Sequence, residues 1–370
     1  MTCLLVLSTV HQADDPRVRV RTVGVLTQRF DVRYATRPPA PSDRGDHMWV
    51  ALPGGRLRRH LAAFREVWRR DVGLVSLHDP ELIPLGLAVR WLRRLPVVFD
   101  VHEDVPAQLR TKQWLPAWLR APLAAVAAVL LKLAERWLTI TLAEPGYTRL
   151  FHRSHPVLPN YPLQGHLPPL PDSAAVDHMS GHIVYVGDVT EARGASFAIE
   201  VVARLRSPRR LRLIGRCAPA LRARLQRQAA ELGVDLDVPG FLPHDDAMRA
   251  VAGAAVGLCP LEDQPNYRYS LPTKVLEYLA LGVPVVASDL PGTAELAAGR
   301  PGVQLVAPRA AGAWADAVAR ALHDPQYRTG ARAAADEVRA QFSWPAERLL
   351  DIYGRLWRPA RDTSQRALVG

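Results

Sequence analysis

Lys274 and Glu277 stand three residues apart in the stretch SLPTKVLEYLALGVPVVASDLPG, Ser270 to Gly292. Lysine is almost absent otherwise: of 47 basic residues only Lys112, Lys132 and Lys274 are not arginine. Pro272 and Thr273 can start a helix here, and the spacing then puts both side chains on one face of its first turns. A helix N-terminus carries unpaired N–H groups and the positive end of the dipole, and a lysine adds a point charge. One turn on, a carboxylate can accept from the two hydroxyls of a ribose. The pair therefore suits a nucleoside diphosphate. An exposed i, i+3 ion pair is the plainer alternative.

A second phosphate-binding candidate is VYVGDVTEARGASFAIEVV, a strand followed by a turn with Gly187, then Arg193 and Gly194 opening a helix. Glycine permits close backbone approach, and Arg193 can fork onto a pyrophosphate. Alone this pattern is ordinary in any α/β protein, where a turn with an exposed arginine is the simpler reading. Earlier in the chain, LVSLHDPELIPLG ends a strand with His78 and Asp79, and VVFDVHEDVP ends another with Asp100, His102 and Glu103. A histidine and an acid delivered by each of two adjacent strands to the carboxyl edge point to a functional set, although either histidine alone is more often a hydrogen-bonded structural residue. No histidine spacing marks a zinc site, so no metal is expected.

Several short strands must carry these groups. Near-continuous apolar runs at Cys3 to Leu7, Val72 to Leu77, Val97 to Asp100 and Leu138 to Thr141 alternate with helical patterns. Between them, Leu57, Leu61, Phe64 and Trp68 share one helical face. RVRVRTVGVL alternates like a strand where a helix is due. LPNYPLQGHLPPLPDSAAVDHMSG reads as a linker, and the alternation restarts with HIVYVG, LRLIG, VGLCP, VPVVAS and VQLV. The expectation is two Rossmann-like, doubly wound α/β domains facing a central cleft, at residues 1–160 and 182–342 with a linker at 161–181. A helix at 343–358 is expected to pack back across the domains, with 359–370 a disordered tail.

Bulk properties narrow the partners. A chain of 370 residues suggests two domains, and its net charge of +11 invites anionic partners. The arginines are scattered rather than interleaved with aromatics, so no nucleic acid is expected. Cys3, Cys217 and Cys259 lie far apart, which fits a reducing interior, and the N-terminus reads as a first strand; a cytoplasmic protein is expected. LRAPLAAVAAVLLKLAERWL is cut by Lys132 and Glu135 and reads as too short a run to span a bilayer.

These residues together resemble the retaining, nucleotide-sugar-dependent glycosyltransferases of the GT-B fold, the group 1 or family 4 set. The likeness is carried by HQADDPRV, LHDPELIPLG, VVFDVHEDVP, VLPNYP, VYVGDVTEARG, LRLIG, VPGFLPHDD, PTKVLEYLALGVPVVAS and the closing FSWPAERLLDIYGRL. It implies a donor site mostly in the second domain and an acceptor site mostly in the first. Glu277 matches the ribose-binding glutamate, and Arg193 and Lys274 the diphosphate contacts, with Gly187 and Thr273 beside them. Phe241 and Leu242 fall near the base. His78 matches the histidine at the sugar and phosphate, while His11, His102 and Glu103 line the acceptor side. Such enzymes are implied to need no metal or cofactor, only a donor of UDP or GDP type and a hydroxyl acceptor.

This chain departs from the family pattern at two positions. Tyr269 occupies the position of a second glutamate that contacts the donor sugar, and Asp188 that of an arginine after the strand glycine. Trp114, Trp118 and Trp137, with Arg110, Lys112, Arg120 and Lys132, either rim a buried helix or rest on the anionic inner face of a membrane. On the second reading the acceptor is lipid-linked, as in cell-envelope polysaccharide or glycoconjugate biosynthesis; a small molecule is the rival. An epimerase or hydrolase acting on nucleotide sugars, and a non-catalytic transferase-like partner subunit, are the competing functions. An NAD oxidoreductase is disfavoured because no G-x-G-x-x-G follows the first strand.

Overall fold

The computed structural model describes residues 2–41, 45–112, 115–170, 181–207 and 209–357. Trp114, residues 171–180 of the expected linker and the expected tail lie outside them. Two compact units are present, Met1–Asn160 with Pro345–Gly370, and Tyr161–Trp344.

In the first unit β1 (Cys3–Gln12), β2 (Val32–Arg37), β3 (Met48–Ala51), β4 (Val72–Leu77), β5 (Val97–Val101) and β6 (Thr139–Leu142) form one sheet in the order β3-β2-β1-β4-β5-β6. All neighbours run parallel. The second unit repeats the plan with β7 (Ile183–Val186), β8 (Arg210–Ile214), β9 (Asp235–Gly240), β10 (Val256–Cys259), β11 (Val285–Ser288) and β12 (Val303–Val306), ordered β12-β11-β10-β7-β8-β9. In each sheet the strand order reverses beside the unit's first strand, at β1/β4 and at β7/β10. Ligand crevices open at such points, outside the carboxyl ends of the strands.

Strands buried on both faces read as continuous apolar runs, and β4, β5, β10 and β11 are buried throughout. The strands that sequence missed lack that signature. β2 (VRYATR) carries two arginines, β3 is half open to solvent, and β9 (DLDVPG) carries two aspartates.

RVRVRTVGVL is helical. Pro16–Val23 forms a π-helix that continues into a short α turn, Gly24–Leu26. Pro16 sits in its first turn, and the Asp15 carboxylate accepts from the N–H groups of Arg17 and Val18. Cap and proline override the strand-like alternation. In the helix Arg56–Val67 the apolar stripe points outward, with Leu57, Leu61 and Phe64 exposed. Ala63 and Val67 face the core instead, packed with Leu5 and Leu7, because the helix sits close enough to the sheet to admit small side chains.

Tyr161, expected in the linker, packs edge-on to Phe342 at 5.1 Å, and Leu167 is buried in the second unit's core. The last helix, Ala346–Leu356, belongs to the first unit. Its Tyr353 is buried and shares a 2.7 Å hydrogen bond with Ser76 on β4.

Candidate functional site

At the carboxyl end of β7 the chain turns through Gly187, whose φ of +119° favours glycine. A Cβ on the neighbouring Gly215, at the end of β8, would lie 1.9 Å from the Gly187 carbonyl oxygen, so that position too admits only glycine. Arg193 follows in the 3-10 turn Glu191–Arg193, and Gly194 then starts the helix Ala195–Ala203. A Cβ on Gly194 would lie 2.2 Å from the Pro260 carbonyl oxygen, beyond β10. The turn is thus wedged at the β7/β10 switch point.

Lys274 arrives from another direction, on the helix Thr273–Ala280. Tyr278 anchors that helix: its hydroxyl accepts from Val186 N–H at 2.9 Å and donates to the Leu258 carbonyl at 3.2 Å. Lys274 Nζ lies 4.1 Å from the centre of the Tyr185 ring, a cation–π contact. A methyl group placed on Gly187 would be 3.6 Å from both Arg193 Nη1 and Lys274 Nζ. Two cations therefore converge above a bare backbone turn. Lys274 and Glu277 are each only 7% exposed, so they are not an ion pair on a solvated face.

The other expected donor residues spread around this centre. Thr273 is half-buried at the helix start, and Leu242 packs on the core beneath the helix. Phe241 is half exposed with the Arg216 guanidinium 4.5 Å from its ring centre. Arg216 also lies 4.0 Å from Asp188, so the acid found where an arginine was expected faces an arginine one strand over. Sequence reading missed Arg216, although LRLIGR shows the same strand, glycine and charged residue order as VYVGD. Tyr269 is exposed.

The first unit brings His11, His78, Asp79, Asp100 and His102 to the ends of β1, β4 and β5. Asp79 accepts from His11 Nδ1 at 2.7 Å, from Ser8 Oγ at 3.0 Å and from the N–H groups of Thr9 and Val10 at 2.5 and 3.2 Å. Burial works against a charged His11, but Asp79, Asp15 and Glu103 outweigh it and raise the pKa to about 9. Burial and the charge on His11 push His102 below its ordinary value. One proton arrangement satisfies both shifts. Imidazolium His11 donates through Nδ1 to Asp79 and through Nε2 to His102 Nε2 at 3.1 Å, while neutral His102 donates through Nδ1 to the Asp100 carbonyl at 3.2 Å.

His78, matched by resemblance to the histidine at the sugar and phosphate, is enclosed at the end of β4. Its side chain has no exposed area; Nε2 meets Ser76 Oγ at 3.2 Å and Nδ1 lies 3.4 Å from Asp100 Oδ2. Asp100 is gripped by Arg17 through Nε at 2.9 Å and Nη2 at 2.7 Å, and accepts from Thr141 Oγ1 at 2.8 Å. Burial opposes the carboxylate, yet Arg17 and His78 hold its pKa well below the usual range. His78, Asp100 and His102 offer ligand atoms within 4.8 Å of one another. That set does not fit a divalent ion, because a fixed guanidinium already occupies the carboxylate. His11 and His102 remain partly open, and Glu103 is exposed beside them.

Residues 180–324, which include Gly187, Arg193, Lys274 and Glu277, match the family model described as "Glycosyl transferases group 1". No curated protein matches the chain. Among solved structures, sucrose-phosphate synthase from Thermosynechococcus elongatus is similar with a TM-score of 0.76 at 18% identity, covering 96% of this chain and 99% of that one. Anabaena HepE in complex with UDP-glucose gives a TM-score of 0.71 at 14% identity, over 95% and 100%. WaaG, a glycosyltransferase involved in lipopolysaccharide biosynthesis, gives 0.69 at 15%, over 95% and 99%. The fold is GT-B, and the family-model match together with it supports a GT-B glycosyltransferase.

Proposed function

We propose that the chain transfers a sugar from a nucleoside-diphosphate donor to a hydroxyl acceptor, with retention at the anomeric carbon and without a metal. The observation that carries this reading is the approach of Lys274 Nζ and Arg193 Nη1 to the open face of Gly187. Glycosyl transfer breaks the bond from the anomeric carbon to the diphosphate oxygen and forms one to the acceptor oxygen, whose proton leaves with the diphosphate. Negative charge grows on the leaving group, and two fixed cations in a partly buried site stabilise it without reorganising. Glu277, one turn along the same helix, is assigned to the ribose, and Phe241 and Leu242 to the base. HepE was captured with UDP-glucose, which favours a UDP-type donor here.

The acceptor side is assigned to His11 and His102 with Glu103, which would orient the acceptor hydroxyl by hydrogen bonds while its proton leaves with the diphosphate. His78 is a positioning residue in this scheme, acting through Asp100 and Ser76. A role in cell-envelope polysaccharide or glycoconjugate assembly is the setting we favour, given WaaG among the fold neighbours. Three free thiols, two of them buried, suit a reducing, cytoplasmic compartment.

A thermal-shift panel of UDP, GDP, ADP and TDP is expected to single out one base. The matching nucleotide sugar, incubated with hydroxyl acceptors and followed by NMR, should give an acceptor-dependent product with the donor's anomeric configuration. Free sugar or an epimer formed without acceptor would move the assignment to a hydrolase or epimerase. Absence of any shift would make the chain a non-catalytic partner.

A further inference from the structure

The region expected to be cut short by Lys132 and Glu135 is one uninterrupted helix, Ala117–Trp137, long and apolar enough by length and composition to cross a membrane. Ala124, Leu131 and Ala134 face inward, the last two in the first unit's core, yet the opposite face is apolar as well. Glu135, its only acid, turns inward, where Oε1 accepts from His152 N–H at 2.8 Å, Arg153 N–H at 2.7 Å and His155 Nε2 at 3.1 Å. Outward go Trp118, Val126, Val129, Leu133 and Trp137, between 39% and 75% exposed and spaced along one helical stripe. Trp91 meets Trp137 edge-on at 5.5 Å, and the exposed Leu92 beside it widens the patch.

The charges bordering this stripe on the helix are all positive. Lys132 and Arg136 are exposed, with the Arg136 guanidinium 4.7 Å from the Trp137 ring centre, and Arg94 stands exposed near Trp91. A protein partner would have to cover an apolar strip ringed by unmatched cations. An anionic bilayer supplies both halves of the match: acyl chains for valine and leucine, headgroup phosphates for lysine and arginine, and an interface for tryptophan at each end. The inward face argues against a span, since Leu131 and Ala134 already pack in the first unit's core and Glu135 is tied to residues 152–155. The helix Arg56–Val67 also exposes leucines, but there an acid, Glu81, pairs with Arg56 beside the stripe.

We propose that the outward stripe of Ala117–Trp137 seats in the plane of an anionic lipid surface. This stands apart from the donor assignment, because vesicle binding needs no nucleotide sugar.

Co-sedimentation of the full chain with vesicles of equal phosphatidylglycerol and phosphatidylcholine tests it, against phosphatidylcholine alone. The chain should pellet with the anionic vesicles and much less with the neutral ones. Val126→Asp with Val129→Asp, both exposed sites, should lower the partition coefficient at least tenfold while leaving circular dichroism and the thermal midpoint unchanged. Lys132→Glu with Arg136→Glu should lower binding to the anionic vesicles and weaken its salt dependence. A wild-type chain that stays in the supernatant would overturn the proposal, as would an aspartate variant that binds equally well. So would a concentration-dependent dimer, seen by light scattering, that the aspartates abolish, since the stripe would then be a self-association face.

Discussion

His11 carries the clearest pH signature in the molecule. Its folded-state pKa is raised from the ordinary 6.5 to about 9, so folding favours the protonated form. The contribution is complete below about pH 6.5 and disappears as pH rises through about 9. Its size is about 3 kcal/mol, from roughly 1.4 kcal/mol per pKa unit. The lowered pKa of Asp79 is the same contact seen from the acid and is not added to it. Chemical denaturation between pH 7 and 10 should show wild-type stability falling, and His11→Gln should remove most of that slope. An equal slope in both proteins would show that the proton sits elsewhere. His11, His102 and Glu103 were legible as a polar group at strand ends. The burial of His78 was not, because sequence gives the strand end but not the ring of Ser76, Asp100, Arg17 and Tyr353 that closes around it.

At the scale of elements, the donor residues depend on how the helix Thr273–Ala280 is fixed to the sheet. Tyr278 does this by holding Val186 N–H on β7 and the Leu258 carbonyl on β10, with its ring against Gly257, where a Cβ would lie 2.4 Å from Tyr278 Cδ2. Tyr278→Phe keeps the ring and leaves the part-buried Val186 N–H without this partner. The expected cost is about 1–3 kcal/mol of stability, read from denaturant midpoints, together with weaker nucleotide binding as Lys274 loses its register. Full stability with full affinity would show that the hydroxyl is dispensable. The helix start and the central strands were readable from Pro272, Thr273 and continuous apolar runs. Edge strands β3 and β9, and the π-helix after β1, were not, because half-solvated strands lack the apolar run and an Asp–Pro cap contradicted local alternation.

Across the whole molecule, one six-strand order occurs twice, and each copy places its polar groups at the point where that order reverses. The doubly wound class was legible because alternating buried strands and helices leave few other arrangements. The outward stripe on Ala117–Trp137 was only half legible, since composition shows an apolar helix but not which face the sheet takes. What divides the copies chemically is charge. The first gathers histidines and carboxylates, and the second gathers Arg193 and Lys274 around a glycine turn. Isothermal titration of the full chain with UDP tests that division most directly. Lys274→Gln and Arg193→Gln should each weaken UDP binding at least tenfold, about 1.4 kcal/mol, and His11→Gln should leave it unchanged. If both glutamine variants bound UDP as tightly as wild type, the diphosphate would not lie at Gly187 and the account would be wrong.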